Sequence, residues 1–245
     1  MDKQRIAATF AGAASDYDAY AVVQRHAAQQ LAQQVQAQWP ELRQVLEIGC
    51  GTGNLSELML RAYPDLALLA TDIAPEMVQA CRSRLLKMGA KGVRYAVVDG
   101  EYCAADQADL VLSSLVFQWF DDQEAALRRL GLEAPRMAVA TLLAGTFGEW
   151  RAAHTRLGLD DGVRHFMTEE RLHLLCAQIG ARCHVETVVE HFPDVLQFVR
   201  ALKAIGAGTA RLGHRPTPLR RVLRAFPAGI DVSYCVAYIF AGKGV

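Results

Sequence analysis

A glycine loop directly after a short apolar segment is the feature that most limits how this chain can fold. Residues 44–48 read QVLEI, and Gly49, Gly51 and Gly53 follow at alternate positions. The apolar run predicts a buried strand, and the residues beyond it predict a helix with Asn54 as its N-cap. A strand, a glycine loop and a helix in this order bring backbone N–H groups around one polar or anionic ligand.

The same alternation continues along the chain. Strands are predicted at residues 44–48, 66–71, 93–98, 108–113, 137–143, 184–191 and 232–240, and helices at 2–38 (with a break near 12–18), 54–63, 75–88, 122–130, 147–157, 168–179, 193–205 and 218–224. Strands that alternate with helices favour parallel pairing through right-handed crossovers. We therefore expect an α/β fold with a doubly wound, mostly parallel, seven-stranded sheet, N-terminal helices, and a helical lid or insertion in the C-terminal half.

The length of 245 residues suits one domain with a sizeable core, so no disulfide or metal is needed to hold it together. We expect a single domain over residues 1–245. Residues 1–40 would form an N-terminal helical cap, residues 41–143 the ligand-binding core, and residues 144–245 the helical insertions with the last two strands.

The charges and cysteines exclude several classes of function. The chain carries 26 basic and 26 acidic side chains, so its formal net charge is zero. A neutral chain has no overall attraction for nucleic acid or for an anionic membrane, and we expect neither as a partner. Its six cysteines are scattered without a Cys-x-x-Cys pair, which is typical of a reducing compartment and predicts no metal site. With no apolar signal peptide or membrane-spanning run, a soluble cytoplasmic protein is expected.

Acidic residues stand at the ends of the first three predicted strands. Glu47 lies in an apolar strand end and needs a partner, such as a ligand ammonium group or a loop amide. Asp72 and Asp99 can accept hydrogen bonds from ribose hydroxyls and from an adenine amine. The Gly-x-Gly-x-Gly spacing favours S-adenosylmethionine over NAD, which needs a pyrophosphate cradle. The alternative is an α/β domain in which these acids only cap strand ends.

The runs VLEIGCGTGNLSELML and LLATDIAPEMVQACRSRL closely resemble the glycine-loop and ribose-binding motifs of the class I methyltransferases, over about residues 42–143. The resemblance implies a Rossmann-like fold and S-adenosylmethionine as the cofactor. The residues that it assigns to the cofactor by position are Glu47, Gly49, Gly51, Gly53, Asp72 and Asp99. The other predicted members of this site are Cys50, Ile73, Met77, Gly100, Glu101 and Ser114. Core packing is the alternative role of Ile73 and Met77.

Three further segments resemble one family within that class, the malonyl-[acyl-carrier-protein] O-methyltransferases of biotin synthesis. They are FAGAASDYD at residues 10–18, SSLVFQW at 113–119 and VRALKAIGA at 199–207. This resemblance implies transfer of a methyl group to the free carboxylate of a malonyl thioester, with the malonyl-acyl-carrier protein as partner. The product would be the methyl ester that primes the synthesis of the pimeloyl precursor of biotin.

A carboxylate is already ionised at neutral pH, so methylating it needs alignment and exclusion of water rather than a general base. Tyr17 is predicted to cap the cofactor and to point its hydroxyl inward. Gln118 and Trp119 follow the fourth strand, where ligands bind in open α/β sheets. Arg164 and His165 are candidates for a cation that orients the carboxylate. The alternative role of Tyr17 is helix packing, and that of Trp119 is core packing. Arg164 and His165 could instead be solvated loop residues.

Basic residues are concentrated near the C-terminus of this neutral chain. A solvated face is the ordinary interpretation of such a run. An acyl carrier protein is acidic, however, and its phosphopantetheine carries a phosphate, which arginine binds well. The predicted docking patch consists of Lys203, Arg211, Arg215, Arg220, Arg221 and Arg224.

Other functions remain compatible with the same motifs. The glycine loop identifies only the cofactor, so another small carboxylic acid or a quinone precursor is an alternative acceptor. A non-catalytic module that keeps the cofactor site is a second alternative. Nucleic-acid methylation is a third, disfavoured because no Asn-Pro-Pro-Tyr-like motif follows the fourth strand.

Overall fold

The computed structural model describes residues 2–105, 107–208, 211, 213–214 and 219–242. Within them, one sheet contains the strands β1 (Gln44–Ile48), β2 (Ala67–Asp72), β3 (Val93–Val97), β4 (Leu110–Ser114), β5 (Arg136–Leu142), β6 (Arg182–Phe192) and β7 (Ile230–Gly242). The strand order is β3-β2-β1-β4-β5-β7-β6. Strands β1 to β5 pair in parallel, while β7 pairs antiparallel with both β5 and β6. The predicted mostly parallel, seven-stranded α/β fold is confirmed.

Helices connect the strands and precede the sheet. In the described part of the chain they are α1 (Lys3–Ala13), α2 (Tyr17–Tyr20), α3 (Val22–Gln38), α4 (Asn54–Ala62), α5 (Pro75–Lys87), α6 (Gln123–Glu133), α7 (Gly148–Arg156), α8 (Glu169–Ile179), α9 (Val195–Ala204) and α10 (Leu219–Leu223). None of these helices is both long and apolar enough to cross a membrane. Short 3₁₀ turns follow β3 at Gly100–Tyr102 and β4 at Phe117–Trp119.

The start of α4 differs from the prediction. Asn54 is the first helical residue rather than the N-cap, and the capping position belongs to Gly53 at φ +90°. Glycine adopts this left-handed conformation without the steric cost of a Cβ atom. The Asn54 side chain is thereby free to point away from the helix, where it donates to Asp18.

Apolar side chains cover both faces of the sheet, as expected for parallel strands. Successive residues of a strand point to opposite faces, so Val45 packs in one apolar cluster while Leu46 and Ile48 pack in the other. Glu47 shares the face of Val45, which lies against α3 and α4. This alternation sends the Glu47 carboxyl group behind the glycine loop.

Candidate active site

The glycine loop between β1 and α4 has a backbone that other residues would not adopt easily. Gly49, Gly51 and Gly53 have φ values of +73°, +52° and +90°. A Cβ atom on Gly49 would lie 2.2 Å from Cγ2 of Val116, and one on Gly53 would lie 3.0 Å from Sγ of Cys81. The glycines thus serve both the left-handed turn and a close approach to neighbouring elements.

Asp72 supports this loop from the end of β2. Its Oδ2 accepts a hydrogen bond from the Gly51 N–H and its Oδ1 accepts one from the Ala74 N–H, both at 2.9 Å. Burial raises the pKa of Asp72, and these backbone donors oppose that shift. Each carboxylate oxygen keeps a further lone pair, so Asp72 can still accept a hydrogen bond from a ligand hydroxyl.

Asp99 follows β3 and is paired with the first helix. The Lys3 ammonium donates to Asp99 Oδ1 at 3.3 Å and to Glu101 Oε2 at 2.6 Å. The Glu101 carboxylate also accepts from the backbone N–H groups of Asp121 and Asp122. Burial raises the pKa of Glu101, but these donors outweigh it and hold the pKa below its usual value. Glu101 therefore anchors α1 and α6 to the turn after β3.

A cavity of about 80 Å³ lies at the carboxyl ends of β1 to β4, and we call it the loop cavity. The predicted cofactor residues that line it are Gly49, Gly51, Asp72, Ile73, Met77, Asp99, Gly100 and Ser114. The predicted residues Glu47, Cys50, Gly53 and Glu101 lie around it without lining it. Most of the predicted cofactor site is thus brought together at one edge of the sheet, where ligands bind in open α/β folds.

Glu47 is buried behind the loop, with 1% of its surface exposed. Its partner is neither a loop amide nor a cavity group: the Ser56 hydroxyl of α4 donates to Oε2 at 2.5 Å. Burial raises the pKa of Glu47 to about 7, the Ser56 hydrogen bond opposes the shift, and the negative charge of Asp72 adds to it. Glu47 therefore titrates near neutral pH inside the fold.

A second cavity of about 530 Å³ adjoins the first, and we call it the aromatic cavity. The aromatic side chains in its wall are Phe10, Tyr17, Trp119, Phe147, Trp150, Phe166, Phe198 and Tyr234. Of the predicted catalytic residues, Tyr17, Gln118, Trp119 and Arg164 line this cavity, whereas His165 is exposed and does not. The volume of the cavity lies within the range of small-molecule binding sites.

Arg164 brings a positive charge into these apolar surroundings. Its guanidinium carbon lies 4.8 Å from the centre of the Trp119 ring, a distance at which a cation is attracted to the ring face. Burial lowers the pKa of Arg164, while the negative charge of Asp121 opposes the shift. The group stays charged in any case, because an arginine pKa begins so far above neutrality.

Among the residues that the structure describes, four line both cavities: Phe10, Tyr17, Leu115 and Trp119. Phe10 meets Trp119 edge to face, with ring centres 5.3 Å apart. The pKa of Tyr17 is raised by burial and by the negative charges of Asp72 and Asp18, so its phenol remains a neutral hydrogen-bond donor. We call this shared boundary between the two cavities the junction.

Gln118 supports the junction through its side-chain amide. Its Nε2 donates to the Leu115 carbonyl at 2.6 Å, and its Oε1 accepts from the Thr141 hydroxyl at 3.1 Å. Leu115 has φ +55°, a left-handed conformation that is strained for a residue with a branched side chain. Gln118 is therefore engaged in holding the turn after β4.

Apart from Tyr17 and Trp119, the aromatic wall was not identified from the sequence. Phe147, Trp150, Phe166, Phe198 and Tyr234 come from β7, α7, α9 and the loops beside them, and they share no motif. Phe10 is different because it belongs to the segment FAGAASDYD, whose resemblance to the family could have pointed to it as a site residue.

The predicted basic patch divides into two parts. Lys203 lines the aromatic cavity, and Arg211 is paired with Asp160 at 2.8 Å. Arg220, Arg221 and Arg224 are exposed on and after α10. Arg215 lies outside the described residues.

Residues 45–131 match the family described as a methyltransferase domain. The chain is 38% identical to the biotin biosynthesis bifunctional protein BioCD of Bordetella avium, over 97% of this chain and 52% of that protein, so it spans about half of that relative. It is 37% identical to the malonyl-[acyl-carrier protein] O-methyltransferase of Magnetococcus marinus, over 94% of this chain and 89% of the relative. The protein of the same name from Geobacter sulfurreducens is 30% identical, over 97% and 98%.

Solved structures share the fold at much lower identity. Magnesium protoporphyrin IX methyltransferase from Synechocystis has a TM-score of 0.57 and 16% identity, covering 92% of this chain and 85% of its own. The YcgJ protein from Bacillus subtilis has a TM-score of 0.58 and 16% identity, covering 87% and 98%. They confirm the predicted Rossmann-like fold, and the family match and the relatives above confirm the methyltransferase class. The chain belongs to the malonyl-[acyl-carrier protein] O-methyltransferases, a family of class I S-adenosylmethionine-dependent methyltransferases.

Proposed function

We propose that this protein methylates the free carboxylate of a malonyl thioester carried on an acyl carrier protein, forming the methyl ester that primes biotin synthesis. The observation that carries the proposal is the position of Arg164. Its cation lies in an aromatic cavity that meets the loop cavity at Tyr17 and Trp119. The relatives named malonyl-[acyl-carrier protein] O-methyltransferase support the same acceptor.

The residues around the loop cavity suit S-adenosylmethionine. Gly49 and Gly51 line the cavity, and the position of a Cβ atom on Gly49 is taken by the Val116 side chain, so glycine lets the loop pack closely against the turn after β4. Asp72 and Asp99 stand at strand ends where ribose hydroxyls and an adenine amine could donate to them. When bound, the cofactor would supply an electrophilic methyl group on its sulfonium to a carboxylate oxygen and would leave as the neutral thioether, so no general base would be needed.

The aromatic cavity would align the acceptor. Arg164 can bind a carboxylate with two parallel hydrogen bonds, and stacking on Trp119 limits the directions in which its guanidinium points. The neutral Tyr17 phenol can donate at the junction. Apolar walls exclude water, which strengthens these interactions.

The charge of Arg164 also favours release of the product. Methylation converts an anionic carboxylate into a neutral ester, so the ester loses its ionic attraction to the guanidinium. In a poorly hydrated cavity this difference between substrate and product is larger than it would be in water. One charged residue would thus select the free acid and disfavour the finished ester.

The basic patch would dock the carrier protein. Lys203 lines the aromatic cavity, and the exposed Arg220, Arg221 and Arg224 are carried on or just after α10. An acidic partner and the phosphate of its prosthetic group complement such a surface. The cytoplasmic location expected from the cysteine pattern remains part of the same proposal.

Turnover of matched acceptors tests the proposal. The purified chain would be given S-adenosylmethionine with malonyl-acyl-carrier protein, malonyl-coenzyme A or free dicarboxylic acids, and methyl esters would be measured by mass spectrometry. We expect the highest kcat/KM with the carrier-bound malonyl group. Faster turnover of a free dicarboxylic acid, or of a neutral acceptor, would overturn the proposed acceptor.

A further inference from the structure

Asp18 joins the N-terminal segment to the glycine loop. It lies in α2, and its Oδ1 accepts hydrogen bonds from the Thr52 hydroxyl at 2.6 Å and from the Asn54 side-chain amide at 3.1 Å. Thr52 stands between two glycines of the loop, and Asn54 begins α4. One carboxylate oxygen from the N-terminal segment therefore contacts both the loop and the helix that follows it.

Arg84 completes this contact from α5. Its guanidinium forms an ion pair with Asp18, donates to the Thr52 carbonyl at 2.8 Å, and donates to Glu57 at 3.1 Å. The second oxygen of Asp18 is thus engaged as well. Charge-assisted hydrogen bonds to both oxygens fix the direction of the Asp18 carboxylate.

The residue before Asp18 is Tyr17, at the junction of the two cavities. Helix α2 has only four residues, so it depends on tertiary contacts for its position. Neighbouring side chains on a helix point about 100° apart. Accordingly, Tyr17 lines the cavities while Asp18 contacts the loop. Any movement of Asp18 relative to the loop moves Tyr17 with it.

We propose that Asp18 is a positioning residue, which holds Tyr17 in a fixed relation to the glycine loop through Thr52, Asn54 and Arg84. The proposal rests on the function described above, because it takes Tyr17 as the donor at the methyl-transfer point. It adds a coupling: the loop that holds the cofactor and the segment that covers the junction move as one unit. Cofactor binding then orders the acceptor side of the site.

The exposure of Asp18 makes this role separable from a purely structural one. Its side chain is 46% exposed, and ion pairs with this much solvent access contribute little to global stability. We therefore expect replacement of Asp18 to act on catalysis and on cofactor affinity, with the folded protein retained.

The test is a double-mutant cycle between Asp18→Ala and Tyr17→Phe, with Asp18→Asn as the conservative variant. Asp18→Ala should lower kcat about tenfold and weaken S-adenosylmethionine binding about threefold by calorimetry. Tyr17→Phe should lower kcat less in the Asp18→Ala background than in the wild type, because its hydroxyl is already misplaced. Asp18→Asn keeps an oxygen for Thr52 and should recover part of the loss.

Glu124→Ala provides the matched control. It removes the ion pairs of Glu124 with Arg128 in the same helix and with Arg171 in α8, and neither pair lines a cavity. It should leave kcat unchanged. Additive effects of Asp18→Ala and Tyr17→Phe would overturn the proposal. So would wild-type kinetics in Asp18→Ala, or a loss of activity that follows a fall in Tm of more than about 5 °C.

Hydrogen exchange tests the coupling without any acceptor. Added S-adenosylmethionine should protect the amides of residues 14–20 in the wild type, and this protection should be lost in Asp18→Ala. Equal protection in both would overturn the coupling. Because this measurement needs no turnover, failure of the wild type to methylate malonyl thioesters would count against the proposed function alone.

Discussion

The loop cavity and the aromatic cavity share four side chains, yet they are built in different ways. The loop cavity takes its glycine backbone and its carboxylates from the ends of β1, β2 and β3: Gly49 follows β1, Asp72 ends β2, and Asp99 lies two residues after β3. The aromatic cavity takes its walls from α1, α7, α9, β7 and the loop that contains Arg164. The cofactor side therefore depends on local backbone geometry, whereas the acceptor side depends on side chains that only the tertiary fold assembles.

The charges of the two cavities also differ. Among the described residues, Asp72 and Asp99 line the loop cavity against one cation, Lys3, while Arg164 and Lys203 line the aromatic cavity against one carboxylate, Asp161. Under the proposed function this arrangement suits a cationic methyl donor and an anionic acceptor. The difference makes the two sides separable by mutation.

The largest expected effect is on the cofactor side. Gly49→Ala would place a Cβ atom 2.2 Å from Val116 Cγ2 at a φ of +73°. Strain and overpacking should weaken S-adenosylmethionine binding about 100-fold or more, measured by calorimetry. The control Gly12→Ala has no atom within 4 Å of its added Cβ and should bind normally. Normal binding by Gly49→Ala would break the assignment of the loop.

Glu47 should make stability depend on pH on the same side. Its pKa is raised in the fold from 4.5 to about 7, so the protonated form is favoured by folding. This contribution is complete below pH 4.5 and is lost as the pH rises through about 7, for a total of roughly 3 kcal/mol.

The measurement for Glu47 is the free energy of unfolding by urea between pH 4 and 8, in the absence of cofactor. Glu47→Gln keeps an acceptor for the Ser56 hydroxyl and should remove this part of the pH dependence. An identical pH profile in the variant and the wild type would show that another group is responsible.

Arg164 should affect the acceptor side alone. Arg164→Met should lower kcat/KM for malonyl-acyl-carrier protein about 30-fold, or roughly 2 kcal/mol, and leave the cofactor Kd unchanged. The kcat/KM of Arg164→Lys should lie between those of the wild type and Arg164→Met, since lysine keeps the charge but lacks the planar guanidinium that binds a carboxylate with two hydrogen bonds. Arg171→Met, which changes an exposed arginine of α8, is the matched control. A weakened cofactor Kd would contradict the separation of the two cavities.

The smallest effect is expected at the docking patch. Double charge reversal of Arg220 and Arg221 to Glu should raise KM for malonyl-acyl-carrier protein about fivefold at low salt, and less at high salt. KM for malonyl-pantetheine, which carries no protein, should stay unchanged. Reversal of Arg82 and Lys87, two exposed residues of α5, should have no effect. An equal rise in KM for both acceptors would contradict docking.

The sequence predicted the fold more fully than the site. Strand and helix periodicity identified the succession of strands and helices along the chain, because strands that are buried on both faces leave apolar runs between glycines and prolines. Asp72 and Asp99 could be predicted as site residues because ligands bind at the carboxyl ends of the strands in open α/β sheets. Tyr17 and Trp119 were predicted from their motifs, but the rest of the aromatic wall could not be, since the sequence around Phe147 and Tyr234 does not distinguish them from ordinary core residues.

Glu47 and Asp18 mark the limit of local reasoning. Glu47 belongs to the motif, yet strand alternation turns its carboxyl group behind the loop to Ser56. Asp18 ends the segment FAGAASDYD, where no local pattern predicts a role for it, and its contacts with Thr52 and Arg84 span 34 and 66 residues of chain. Only packing of the N-terminal segment on the loop creates them.

By itself, the sequence determined the sheet, the glycine loop and the carboxylates at the strand ends, because each follows from neighbouring residues and from the geometry of one strand. The tertiary structure decided which side chains face a cavity, which partner a buried acid finds, and where Arg164 lies relative to Trp119. These relations join residues that are far apart in the chain. They depend on how the helices pack over the sheet, which no local pattern specifies.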